Sequence, residues 1–82
     1  MIRFTPPTTA PIRMINMPVD SWAVISEVEQ KVQTKFRAND LVYRHSFQHW
    51  VQIGGERSIL HSEKLQHILV LPFNGTPTIT FS

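Results

Sequence analysis

The spacing of apolar residues indicates a helix in the segment that follows the proline-rich start of the chain. At about 100° per residue, the apolar side chains fall in one arc, which is typical of a helix with one buried face. Asp20 or Ser21 can cap its start, and two glutamates precede two lysines, in the order that the helix dipole favours. The pattern therefore predicts a helix over about residues 20–37. The apolar arc consists of Trp22, Val24, Ile25, Val28, Val32 and Phe36.

The next segment, whose centre reads YRHSFQHWVQIGG, can be interpreted either as a strand or as a helix. In a strand, where side chains alternate between two faces, two histidines would interrupt the apolar face, and Val42 and Trp50 would interrupt the polar one. In a helix, the polar residues fill one continuous arc of about 140° and the apolar residues fill the opposite arc, with only Leu41 and Ser46 out of place. The apolar arc consists of Val42, Tyr43, Phe47, Trp50, Val51 and Ile53. Capping residues precede the segment, and Gly54 can end it. The pattern favours a second helix over about residues 41–53. A strand is the alternative, because the segment is rich in β-branched and aromatic residues.

The proline-rich start of the chain predicts an extended arm. Four of the six prolines lie within the first eighteen residues, and each one removes a backbone donor and biases its neighbour toward extended geometry. Within this arm, residues 12–17 can form a short strand at the edge of a sheet. We therefore divide the chain into the arm, residues 1–18, and one small domain, residues 19–82.

The last third of the chain has the pattern of an antiparallel sheet. Residues 58–61 and 67–73 have the composition of strands around a polar bend, where a short helix from Ser62 is the alternative. The pair Asn74-Gly75 is the strongest short-range signal for a two-residue hairpin turn, so the strands on its two sides should pair. The expected fold is α+β: an arm with a short strand, two packed helices, and a small antiparallel sheet that ends in this Asn-Gly hairpin.

Length and composition restrict the class of protein. The chain has 82 residues, of which 41% are hydrophobic and 17% are charged, as expected for one small folded domain and not for a disordered chain. The absence of cysteine excludes disulfides and thiolate chemistry. Since no apolar run is long enough for a signal peptide or a membrane span, we expect a soluble, cytoplasmic protein without membrane contact. The net charge of +2 permits nucleic-acid contact but does not demand it.

Two histidines four residues apart, His45 and His49, raise the question of a metal site. On a helix they would lie about 6 Å apart along the axis, whereas on one strand they would lie about 13 Å apart and could not share an ion. Ser46 stands where an H-E-x-x-H zinc enzyme carries its catalytic glutamate. The sequence also lacks an activated nucleophile and a phosphate-binding loop. We therefore expect no metal, no other cofactor and no enzymatic activity.

The predicted second helix would present a polar face without acidic residues, and this face is the candidate partner-binding surface. We expect a protein–protein interaction module that binds another protein or a copy of itself. Short chains of this type are often accessory proteins of viruses, phages or mobile elements, such as inhibitors of host machinery or small particle components. The candidate residues are Arg44, His45, Gln48, His49 and Gln52, joined by Trp50 if the segment is a strand.

Nucleic-acid binding is the alternative function. A polar helix without acidic residues carries the groups that read base edges in the major groove, and it would follow the first helix after a tight link, as in helix-turn-helix proteins. Basic residues near that link could contact phosphates. The candidate nucleic-acid-binding residues are Lys31, Lys35, Arg37, Arg44 and Gln48.

Overall fold

The computed structural model describes residues 2–53, 57–60 and 63–81, and this part of the chain is mainly β-structure. Its helical elements are limited to two short 3₁₀ turns, Met14–Asn16 and Glu63–His67. The strands are β1 (Ile2–Phe4), β2 (Ile12–Arg13), β3 (Ser21–Val28), β4 (Leu41–Ser46), β5 (His49–Ile53), β6 (Arg57–Leu60), β7 (Ile68–Pro72) and β8 (Ile79–Phe81).

Six of the strands form one antiparallel sheet in the order β2-β7-β3-β4-β5-β6. The long strand β3 is central, with β4 on one side and β7 on the other. β1 and β8 form a separate two-stranded sheet, in which Ile2 lies opposite Phe81. The pairing therefore connects neighbours in sequence, such as β4 and β5, and also segments that are nearly the whole chain apart.

The hydrophobic core lies on one face of the six-stranded sheet. Strand alternation puts Ala23 and Ile25 of β3 on this face, and the two 3₁₀ turns contribute Met14 and Leu65 to the same cluster. All four side chains are buried almost completely. The complete core cluster is Met14, Met17, Ala23, Ile25, Phe36, Val42, Trp50, Leu65, Ile68 and Val70.

The helix predicted over residues 20–37 is wrong, because this segment holds β3 and then a loop. Both faces of β3 are apolar: Ala23 and Ile25 join the core cluster, while Trp22 and Val24 lie on the opposite face. A strand with apolar residues on both faces does not show the alternation of a half-buried strand, so the helical arc was the more visible pattern. The predicted α+β fold is therefore replaced by a mainly β fold.

The helix predicted over residues 41–53 is wrong as well. This segment is a β-hairpin in which β4 and β5 are joined by a turn at Phe47 and Gln48. The turn contains none of the glycine or asparagine residues that usually mark a two-residue hairpin. In addition, Trp50 lies on the strand face that the sequence suggested was polar, and it is fully buried because that face meets the core.

The predicted hairpin across Asn74-Gly75 is also wrong. The chain does bend there, and Gly75 has a φ of +86°, which favours glycine. However, β7 pairs with β2 and β3, while β8 crosses over to pair with β1. Strands predicted over residues 58–61 and 67–73 are present as β6 and β7, with residue 61 and the bend residue Ser62 outside the described part.

Residues 2–18 fold back onto the rest of the described chain. β1 pairs with β8, and β2 pairs with β7 at the edge of the large sheet, which gives the strand predicted over residues 12–17 a shorter extent, Ile12–Arg13. Met14 and Met17 are both 0% exposed. The proline-rich segment therefore supplies part of the core.

Candidate functional site

The sheet face opposite the core is partly covered by the N-terminal segment. Val24 and Leu71 lie opposite each other on this face, and Arg3, Phe4 and Pro6 line a groove together with them. Val24 is buried there, at 4% exposure. Toward the turn between β4 and β5, the same face is more accessible to solvent, since His45 is exposed and Tyr43 and His49 are half-buried. This accessible half carries the candidate site.

Four ring side chains form a continuous row on the accessible half, which we call the aromatic row: Trp22, Tyr43, His45 and His49. The ring centroids of Trp22 and Tyr43 are 4.7 Å apart, those of Tyr43 and His45 are 6.3 Å apart, and those of the two histidines are 5.6 Å apart. These separations lie in the contact range of aromatic pairs. His45 is exposed and the other three are half-buried, so the row presents ring surface to solvent.

A β-bulge in β4 explains how the two histidines meet. The register shifts between Arg44 and Ser46, so that Ser46 lies opposite His49 while His45 is the extra residue of the bulge. The two imidazoles are therefore neighbours across the hairpin and not neighbours along one strand. The separation of about 13 Å expected for two residues of one strand does not apply, because the histidines lie on two paired strands.

Asp20 lies beside the aromatic row and is held there by its backbone. Its N–H donates to the carbonyl of Arg44 at 2.8 Å, and its φ of +62° is a left-handed conformation that aspartate adopts more readily than most residues. The hydroxyl of Tyr43 donates a hydrogen bond to the Asp20 carboxylate. This bond, with smaller contributions from burial and from the carboxylate charge, raises the pKa of Tyr43 above 10.0.

Because the chain has one tyrosine, the pKa of Tyr43 can be measured directly. We expect ultraviolet titration to show ionisation above the ordinary tyrosine pKa. Asp20→Asn keeps a residue type suited to the left-handed backbone but removes the charge, and it should lower the pKa of Tyr43 toward about 10. The stabilising contribution of a raised pKa is complete below the unfolded-state pKa and is lost as the pH rises through the higher folded-state value. An unchanged pKa in the asparagine variant would contradict the role of Asp20.

Arg44 lies on the core face and not on the aromatic row. It is 7% exposed, and its guanidinium donates to the carbonyls of Met17 and Phe47. Its Cζ atom lies 4.4 Å from the ring centroid of Trp50, which is a cation–π contact. Burial lowers the pKa of Arg44. This arginine joins the turn of the hairpin to the segment before β3, so it positions the site without being presented to a partner.

The six residues predicted to bind a partner do not share one surface. His45 and His49 belong to the aromatic row, and Gln48 is exposed in the hairpin turn. Gln52 is half-buried on the opposite face, where its side-chain amide donates to Oδ2 of Asp40 at 2.8 Å. The other two, Arg44 and Trp50, are buried in the core.

The predicted nucleic-acid-binding residues are also separated. Lys31, Lys35 and Arg37 are exposed in the loop that precedes β4, whereas Gln48 follows the other end of that strand. Six strand residues span about 20 Å, and Arg44 between these ends is buried. Since the segment 41–53 is a hairpin, the recognition helix on which this alternative depended is not formed.

Sequence reasoning missed that Trp22 and Tyr43 lie half-buried in the aromatic row. Both were assigned to the apolar arcs of predicted helices, which would have buried them. The available signal was the concentration of β-branched and aromatic residues in both segments, which is typical of strands. This signal could have predicted strands. It could not have predicted which rings would be in contact, because the ring contacts depend on the register between β3 and β4.

Comparisons with known proteins leave the site to be interpreted from its own geometry. No protein-family model, curated protein or solved structure matches this chain. In residues 2–53, 57–60 and 63–81, no three histidine, aspartate or glutamate side chains are grouped so as to hold a metal ion. In the same ranges, neither 3₁₀ turn approaches the length and apolar character of a membrane-crossing helix.

Proposed function

We propose that this protein is a non-enzymatic interaction module that binds another protein through the aromatic row. The observation that carries the proposal is the contact of four rings along the accessible half of a sheet face. Aromatic side chains contribute much of the binding energy at protein interfaces. Rings that already pack against one another lose little conformational freedom on binding, which reduces the entropic cost of association.

The charges around the row favour a protein partner over a nucleic acid. The carboxylate of Asp20 accepts a hydrogen bond from Tyr43 within the site. Its negative charge would repel a phosphate backbone. The exposed cations of the loop, Lys31, Lys35 and Arg37, lie beyond the far end of β4. A complementary partner would present apolar side chains to the rings and a basic side chain to Asp20. A viral or mobile-element origin rests on chain length and type, and it stays a prediction.

The aromatic row can be tested by capturing the partner with the wild-type protein and then measuring its affinity for variants. His45→Glu adds a charge at an exposed position without removing a buried contact, and Trp22→Ala removes the largest ring of the row. We expect each change to weaken binding about tenfold or more, measured by calorimetry, or by sedimentation if the partner is a second copy. The matched control is the double variant Lys35→Ala and Arg37→Ala in the distant loop, which should bind as the wild type does.

The same set of variants separates the protein hypothesis from the nucleic-acid one. Circular dichroism first establishes that each variant keeps its fold. If both row variants retain full affinity, or if the loop control loses as much as they do, the aromatic row is not the binding surface. A salt-sensitive gel shift with DNA or RNA that only the loop variant weakens would instead identify the cations as a nucleic-acid site.

A further inference from the structure

We propose that His45 and His49 form a chelating pair for a divalent transition-metal ion of the kind that prefers imidazole, such as Cu²⁺ or Zn²⁺. Their ring centroids are 5.6 Å apart, and the ring planes are inclined by 64°. Two imidazoles bound to one ion, each at about 2.1 Å from metal to nitrogen, have centroids roughly 5 Å apart. Small side-chain rotations are therefore enough to direct one nitrogen of each ring at a common point.

The position of the pair supports this inference. His45 is exposed and His49 is half-buried, so an ion can reach both from solvent. Within the described residues, neither imidazole makes a hydrogen bond or an ion pair with another side chain, and their contacts are with rings of the aromatic row. By contrast, Nδ1 of His67 lies 2.6 Å from the carboxylate of Glu29. Ion binding at the pair would therefore break no polar contact in the described part of the chain.

The hairpin also restricts how far the two imidazoles can separate. His49 lies opposite Ser46, and the bulge residue His45 is flanked by Arg44, whose guanidinium donates to the carbonyl of Phe47 within the turn. Fixing the turn holds the two histidine backbones at a constant separation. A ligand pair held in this way loses less conformational entropy on binding an ion than two histidines on a flexible chain would.

The number of protein ligands sets the expected selectivity. The described residues offer no third histidine or carboxylate grouped with this pair, so water or a group of a partner bound on the aromatic row would fill the other positions. A two-imidazole site should bind Cu²⁺ more tightly than Zn²⁺, in line with the general affinity order of divalent ions. The site needs only this chain, so the inference goes beyond the proposed function and does not depend on a protein partner.

The test is titration of untagged protein with CuCl₂ in a buffer that does not bind metal. Calorimetry measures the affinity and stoichiometry, and electron paramagnetic resonance identifies the ligand atoms. We expect one ion per chain, with nitrogen couplings in the spectrum. His45→Ala and His49→Ala should each weaken binding about tenfold or more, because each removes one of two ligands. Binding should also weaken on acidification, since protons compete for the same nitrogen atoms.

The control removes the other two histidines of the chain. The double variant His61→Ala and His67→Ala should bind Cu²⁺ as tightly as the wild type. Circular dichroism verifies the fold of every variant, and His45→Ala changes only an exposed side chain. The inference is overturned if the control loses as much affinity as the pair variants, if the pair variants lose none, or if the wild-type spectrum shows no nitrogen coupling. None of these outcomes bears on partner binding, which is measured without metal in the presence of a chelator.

Discussion

Replacement of Trp50 by alanine is expected to lower the free energy of unfolding by about 3 to 5 kcal/mol. The Trp50 side chain is 0% exposed and belongs to the core cluster, and its ring also packs against the guanidinium of Arg44. The alanine variant would leave a large cavity on the core face of the hairpin formed by β4 and β5. Because a domain of this size is only marginally stable, a substantial fraction of the variant should be unfolded without denaturant. Urea unfolding followed by circular dichroism measures the loss.

Phe47 provides the matched control for Trp50. Its side chain is 68% exposed in the hairpin turn, so Phe47→Ala should change the free energy of unfolding by less than about 1 kcal/mol. The helical interpretation of residues 41–53 put both aromatic residues on one buried face. Equal losses in the two variants would therefore contradict the hairpin, whereas a large difference is expected from it.

The second large effect is expected at Arg44. Arg44→Ala removes the donor to the carbonyls of Met17 and Phe47 and uncovers one side of Trp50. A buried acceptor left without a partner costs about 1 to 3 kcal/mol. Because the contact with the Met17 carbonyl is buried and that with the Phe47 carbonyl is only partly buried, we expect a total loss of about 2 to 4 kcal/mol in the free energy of unfolding. The measurement is urea unfolding under the conditions used for Trp50.

Two further substitutions at Arg44 and one control at Arg37 identify which property of Arg44 stabilises the fold. Arg44→Lys keeps the charge but lacks the planar group that donates in two directions and stacks on a ring, so it should lose nearly as much stability as alanine. Arg44→Met restores apolar packing and should recover about 1 to 2 kcal/mol. Arg37→Ala, at an exposed position in the loop, should be within about 0.5 kcal/mol of the wild type. If the lysine variant were as stable as the wild type, the two carbonyl contacts would not explain the role of Arg44.

Arg44 also shows why the hairpin formed by β4 and β5 could not be predicted from the pattern of polar residues. A charged side chain counts as polar in any periodic analysis, yet this one is buried by two backbone carbonyls and an aromatic ring. On the other face, His45 and His49 are polar residues in line with Tyr43 and Val51. Each face of the hairpin therefore mixes residue types, and the alternation that marks a strand is lost. By comparison, the apolar run of β7 was recognised as a strand because its composition did not depend on the pairing.

The candidate site was predictable only in part, for a related reason. His45 and His49 stand out in the sequence because they are close together, and both belong to the aromatic row. Trp22 belongs to the same row but lies about twenty residues earlier, and it meets Tyr43 only through the register of β3 and β4. Local sequence signals do not specify which residues of two strands lie opposite each other, so a surface that crosses three strands cannot be assembled from them.

The two-stranded sheet has a consequence for the order in which the molecule assembles. Residues 2–4 pair with residues 79–81, so this contact closes a loop of almost the entire chain. Closing such a loop costs entropy that only earlier contacts can reduce, and each of these strands has just three residues with which to offset it. We therefore expect the six-stranded sheet to form first and to bring the two segments together. The small sheet should therefore be the last part to pair on folding and the first to separate when the protein is heated.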